Sequence, residues 1–119
     1  MERLNRRRTG TEMEKLAAEY LRREGFEILE MNYRCRIGEI DIVAREGRYL
    51  VFTEVKYRTD GRKGDPLEAV DPRKQRTILK VALFYMKANG IMTDTPCRFD
   101  AVGISENGSI RLVRDAFSF

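Results

Sequence analysis

Residues 38–56, Gly-Glu-Ile-Asp-Ile-Val-Ala-Arg-Glu-Gly-Arg-Tyr-Leu-Val-Phe-Thr-Glu-Val-Lys, constrain the chain to double back on itself. Ile40 and Ile42 alternate with Glu39 and Asp41, and a Glu-Gly-Arg break precedes a second β-branched and aromatic run, the pattern of a hairpin. With Gly47-Arg48 as a two-residue loop and glycine in the first central position of a type II′ turn, Glu46 pairs with Tyr49 and the register follows by counting. Asp41 then faces Glu54, and Glu39 faces Lys56. Opposed side chains share a face of the sheet, and facing like charges destabilise it, so a carboxylate pair here needs a cation. Lys56 is one candidate and a divalent metal is another. Strand alternation puts Glu54 and Lys56 on one side and Val55 on the other. Leu50 and Phe52 share the side of Glu54 and Lys56, so the charges extend an apolar row toward the edge of the core. Acids partly buried there are costly unless paired or metal-bound. A solvated face carrying a lysine–carboxylate pair is the alternative reading.

A chain of 119 residues fits one domain. The net charge is +4, but Arg3, Arg6, Arg7 and Arg8 stand against Glu2 alone in the first eight residues, so the remainder is close to neutral. Composition therefore predicts a flexible basic arm over residues 1–10, either solvated or touching phosphate through Arg7 and Arg8, and a single folded domain over 11–119. No apolar run approaches the roughly 18 residues of a membrane span, and the basic start runs into Thr-Gly-Thr-Glu where a signal peptide would turn apolar. A cytoplasmic protein with no membrane contact is the expectation. Two cysteines, Cys35 and Cys97, cannot build a disulfide framework, and without any histidine they cannot complete a four-ligand zinc site of the usual kind. The missing histidine also excludes Ser-His and Cys-His nucleophilic catalysis, which leaves carboxylates, lysines and tyrosines.

Met13, Leu16, Ala17, Tyr20 and Leu21 have helical spacing, with a stop near Gly25, and Thr11 and Glu14 have the spacing of a capping box. Residues 26–34 predict a first strand and the hairpin supplies two more. Residues 58–70, with Gly61, Gly64 and Pro66, predict a loop of functional length. Asp71-Pro72 opens a second helix with a cap and a first-turn proline, Ile78, Leu79, Val81, Ala82, Tyr85 and Met86 give it an apolar face, and Gly90 stops it. Residues 97–104 and 109–113 predict two strands joined through Glu106-Asn107-Gly108. The order αβββαββ predicts an α/β domain with a central mixed five-stranded sheet flanked by helices, the second helix forming a crossover.

Four blocks together carry a further signal: Gly38-Glu-Ile-Asp41-Ile-Val-Ala; Val51-Phe-Thr-Glu54-Val-Lys56; Ala69-Val-Asp-Pro72-Arg-Lys74-Gln75-Arg; and Cys97-Arg-Phe-Asp100. From about Gly10 almost to the C-terminus the chain resembles the small bacterial YraN family, which is similar to Holliday-junction resolvases and other PD-(D/E)XK nucleases. The resemblance implies a restriction-endonuclease-like fold, with an acid and an E-x-K triplet as the metal-binding core and an early helical glutamate as a further acid. These fall on Asp41, on Glu54 and Lys56, and on Glu14. Met13 departs from the glycine that usually precedes that glutamate and so alters what can approach it.

On this resemblance Asp41, Glu54 and the Val55 carbonyl are the expected ligands of Mg²⁺ or Mn²⁺, which would neutralise phosphate charge and acidify water. Lys56 would orient that water or help deprotonate it. Glu14 either completes the metal sphere or acts as a capping-box residue, roles that do not exclude each other. Glu39 reads as a salt-bridge partner of Lys56. Gln75 and Lys74 open the helix after the loop, where an N-terminus attracts phosphate, so Gln75 is a further candidate for the catalytic site, and Arg73, Lys74 and Arg76 join Arg7 and Arg8 as candidate nucleic-acid contacts. A solvated first turn is the rival reading of Lys74. Asp100 is read as holding a backbone amide or an arginine. The expectation is a metal-dependent nuclease acting on DNA, branched or single-stranded substrates included, with a homodimer suited to symmetric junctions. The alternative is a binding module on the same fold that does not cut.

Overall fold

The structure, a computed structural model, describes residues 2–58 and 71–117. Its elements follow the expected order: α1 (Glu2–Arg23), β1 (Glu27–Cys35), β2 (Gly38–Glu46), β3 (Tyr49–Arg58), α2 (Pro72–Ala88), β4 (Cys97–Ser105) and β5 (Ile110–Val113). The five strands form one sheet in the order β1-β2-β3-β4-β5. Neighbours are antiparallel except β3 and β4, which run parallel because α2 carries the chain back between them. The α/β class and the mixed sheet are as the sequence predicts. The loop expected over 58–70 falls almost wholly outside the described residues.

Local chemistry sets the boundaries. Gly47 adopts φ 58° while Arg48 does not enter positive φ, so the two-residue turn has the expected form, and Glu46 pairs with Tyr49. Asp71 caps α2 by accepting from the Arg73 amide at 2.9 Å. Gly90, at φ 66°, ends α2, with the Ile91 amide donating back to the Met86 carbonyl at 2.8 Å. Gly25 ends α1 in the same way at φ 98°.

The start of α1 differs from the expected cap at Thr11. The helix already runs from Glu2 and passes through Thr11, because the Glu-, Arg- and Leu-rich residues before it are strong helix formers and Thr9-Gly10-Thr11 weakens a helix without breaking it. Residues 2–10, expected as a flexible arm, are thus helical in backbone; the side chains of Arg7 and Arg8 lie outside the described residues.

The sheet is covered on both faces. One core packs Val43, Leu50, Phe52 and Phe99 against Ile78, Val81, Ala82, Tyr85 and Met86 of α2. The other packs Ile42, Ala44, Val51, Val102 and Ile104 against Ala17, Ala18 and Leu21 of α1. Each Val, Leu, Ile, Phe or Met side chain buried in these layers contributes about 1.5–3 kcal/mol by leaving water.

Alternation along the hairpin breaks at one level. Ile42 lies in the α1 core but Ile40, two residues earlier, lies in the α2 core; on β1, Met31 packs with the α1 core while Tyr33 packs with the α2 core. The pairs Met31↔Ile42 and Tyr33↔Ile40 bracket Asn32 and Asp41, which therefore sit opposite each other at the break. Asn32 has φ 53°, a left-handed conformation that asparagine tolerates better than other side-chain-bearing residues and that turns the strand over. Beyond this level the tip of the β1–β2 hairpin, where Cys35 pairs with Gly38, packs toward α2. Gly38 lies so close that a Cβ there would stand 2.8 Å from Thr77 Cγ2 and 3.4 Å from Val81 Cγ2.

A second polar feature lies near the other end of β3. Asp100 is fully buried on β4 and accepts two hydrogen bonds from Arg98, both 2.8 Å, and one from the Asp115 amide at 2.9 Å. This is the arginine-and-amide role read from the sequence. Arg98 also donates to Glu46 at 2.6 Å, and Arg114 donates to Glu46 at 2.7 and 2.9 Å. Cys35 and Cys97 are free thiols. Among the described residues no helix is long and apolar enough to cross a membrane.

A carboxylate cluster where the hairpin turns over

The turning of β2 creates the candidate site. The β2–β3 ladder ends at Ile42↔Thr53, one pair short of the expected Asp41↔Glu54. Asp41 closes the gap with its side chain: its Oδ2 accepts from the Val55 amide at 2.8 Å, a bond the β2 backbone would otherwise supply. The acid is thereby anchored to the middle residue of the Glu54-Val55-Lys56 triplet.

Glu54 continues the row of Leu50 and Phe52 and is only 6% exposed. It forms an ion pair with Lys74, which reaches in from the first turn of α2. Glu14 approaches from α1, where its side chain hydrogen-bonds Asn32 and feels the charges of Glu39 and Glu54. One Glu14 oxygen, Oε2, is buried without a hydrogen-bond partner. Glu14 thus belongs to the cluster, and its capping-box role is excluded by the helix that precedes it.

Electrostatics reflect this crowding. Burial first, then the neighbouring Glu54 charge, push Asp41 up to about 7 from its ordinary 3.8; the Val55 amide and Lys74 pull the other way without prevailing. Burial and the nearby Glu39 and Glu54 charges also raise Glu14, against the Asn32 bond and Arg34. For Lys74, burial would lower the pKa, but the bond to Glu54 together with the Glu54, Asp41 and Glu39 charges outweighs it, and the net shift is upward. Lys74 thus interacts with several acids at once.

Glu39 pairs with Arg34 on β1, where its Oε2 accepts from Arg34 Nε at 3.0 Å. Lys74, read from the sequence as either a nucleic-acid contact or part of a solvated first turn, forms an ion pair with Glu54. Its neighbours Arg73 and Arg76 are exposed on the same turns. Lys56 and Gln75 are both half-buried and both engaged in interactions of their own.

Asn32 escaped the sequence reading. Its signal was there: asparagine is depleted inside strands and enriched at positive φ, so an asparagine within a predicted strand marks a break in it.

The donor set suits a hard divalent cation, since Asp41, Glu54 and Glu14 offer only oxygen and the bare Glu14 Oε2 lacks a partner. Among the described residues, however, no group of three or more acidic or thiol side chains is spaced to hold a metal ion as it stands.

Residues 13–104 match the family profile described as uncharacterised protein family UPF0102. A UPF0102 protein of Lachnoclostridium phytofermentans is 51% identical over 114 residues, covering 96% of both chains. One of Syntrophus aciditrophicus is 48% identical over 92% of this chain and 88% of its own. One of Nitrosococcus oceani is 43% identical over 91% and 90%.

Proposed function

The chain belongs to the UPF0102 family, and from its carboxylate cluster we propose that it is a divalent-metal-dependent nuclease that hydrolyses DNA phosphodiester bonds. The observation that carries this reading is the gathering of Asp41, Glu54 and Glu14 around the end of the β2–β3 ladder, with Asp41 strongly raised and one glutamate oxygen buried without a partner. A fold that needed these positions only for packing would be more stable with amides there. The resemblance to PD-(D/E)XK nucleases supports the same assignment.

When bound, Mg²⁺ or Mn²⁺ would neutralise charge on the transferred phosphate and lower the pKa of water. Asp41 and Glu54 would hold it with the Val55 carbonyl, while the Val55 amide keeps the Asp41 carboxylate in orientation. Glu14 would add its free Oε2. The Lys56 ammonium would orient the attacking water and offset phosphate charge. Arg73 and Arg76, exposed at the start of α2, would contact the nucleic-acid backbone. Gln75, on the same turn, is suited to positioning the substrate near the site.

The test is cleavage of duplex, single-stranded and four-way DNA in Mg²⁺ or Mn²⁺. The reading predicts products that vanish with chelator and in Asp41→Ala and Glu54→Ala. Undiminished cleavage by both variants would refute the site. Salt-dependent DNA binding with no metal titration and no products would favour the non-cutting module.

A further inference from the structure

Lys74 is bound tightly at one end only. Its ammonium pairs with Glu54, whose side chain is 7% exposed, yet 53% of the Lys74 side chain is open to solvent. The lysine therefore reaches from the surface into a pocket of acids, and its long stem can withdraw without disturbing the core. Besides Glu54, the charges acting on it are those of Asp41 and Glu39.

A divalent cation held between Asp41 and Glu54 and an ammonium seated on Glu54 would be like charges competing for the same oxygens. They cannot both be held without cost. Once displaced, the ammonium would emerge on the first turn of α2, beside exposed Arg73 and Arg76 and at a helix N-terminus, where a phosphate is favoured.

We propose that Lys74 is the built-in counter-ion of the carboxylate cluster, exchanged for a divalent cation and then released to a backbone phosphate, so that cation and nucleic acid bind cooperatively. This rests on the metal-dependent reading above and adds to it a positioning role for Lys74. The exchange offsets part of the acids' charge in the free protein and couples loading of the site to capture of substrate.

The experiment measures Mn²⁺ affinity of the full chain by calorimetry, without DNA, for the wild type, Lys74→Gln and Lys74→Arg. Removing the competing charge should tighten Mn²⁺ binding about tenfold in Lys74→Gln, while Lys74→Arg stays near the wild type. Simple structural damage would weaken binding instead, so the direction of change separates the two. A companion measurement follows a labelled oligonucleotide by anisotropy, with and without Ca²⁺ at matched ionic strength. Ca²⁺ should tighten oligonucleotide binding severalfold in the wild type and by clearly less in Lys74→Gln, where only the cation's own attraction for phosphate remains. Mn²⁺ binding by the wild type with no gain in Lys74→Gln, or a Ca²⁺ effect as large in Lys74→Gln as in the wild type, would overturn this inference alone. Absence of Mn²⁺ binding in every protein would overturn it together with the nuclease reading.

Discussion

Two groups of acids are buried along the same sheet, and their surroundings differ. At one end, Asp100 and Glu46 share the guanidinium of Arg98, and Arg114 braces Glu46 from outside. Arg98 is also stacked, 5.3 Å from the Tyr49 ring centre and 5.8 Å from that of Phe26. The bonds from Arg114, then those from Arg98, hold Glu46 below the usual carboxylate range despite its partial burial. At the other end, Asp41, Glu54 and Glu14 gather, with half-exposed Lys74 paired to Glu54, and Asp41 moves upward. A buried acid matched by fixed donors is explained by the fold. A buried acid left short of positive charge costs stability, and such a cost persists where a site is put to use.

The contrast predicts opposite responses to losing a charge. Arg98→Ala would strand fully buried Asp100 and release Glu46, and should cost about 3–5 kcal/mol in urea unfolding. A loss below about 1 kcal/mol would mean that the first cluster is no better satisfied than the second.

Asp41→Asn should do the reverse. Asp41 keeps its proton in the folded protein until about pH 7 but loses it near 3.8 when unfolded. Between those values the folded state binds more protons, so stability falls as pH rises and levels off above the upper one. The asparagine, which can still accept from the Val55 amide, removes that fall. It should stabilise the protein by about 4 kcal/mol near pH 8 and by well under about 1 kcal/mol near pH 4, read from denaturation curves at both values. Glu46 has the opposite sign: its lowered pKa gives stability that is present at neutral pH and lost as pH falls. The smallest effect is expected for Glu14→Gln, which keeps an acceptor for Asn32 while relieving repulsion. It should raise stability by less than about 1 kcal/mol and weaken Mn²⁺ binding, as paired denaturation and calorimetry would show.

What the sequence made legible was whatever is decided by neighbours along the chain. The Gly47 turn, the Asp71-Pro72 cap and the Gly90 stop each depend on a residue's own backbone preferences, and each is found where expected. The two cores also follow from period-two and helical spacing, up to Ile42 and Thr53. Counting fails at Asp41 because its side chain replaces a ladder bond and Asn32 turns the hairpin over, events that no alternation rule contains. The bond between Lys74 and Glu54 was hidden for a related reason. It joins the start of α2 to β3 across a segment whose path the spacing of residues does not fix.

The central claim is that the acids around Asp41 form a cation site. A crystal of the wild-type protein soaked in millimolar Mn²⁺ and measured for anomalous scattering tests it most directly. The account predicts a peak bounded by the Asp41 and Glu54 carboxylates, with Lys74 drawn away from Glu54. No peak there, with the Lys74–Glu54 ion pair intact, would contradict it.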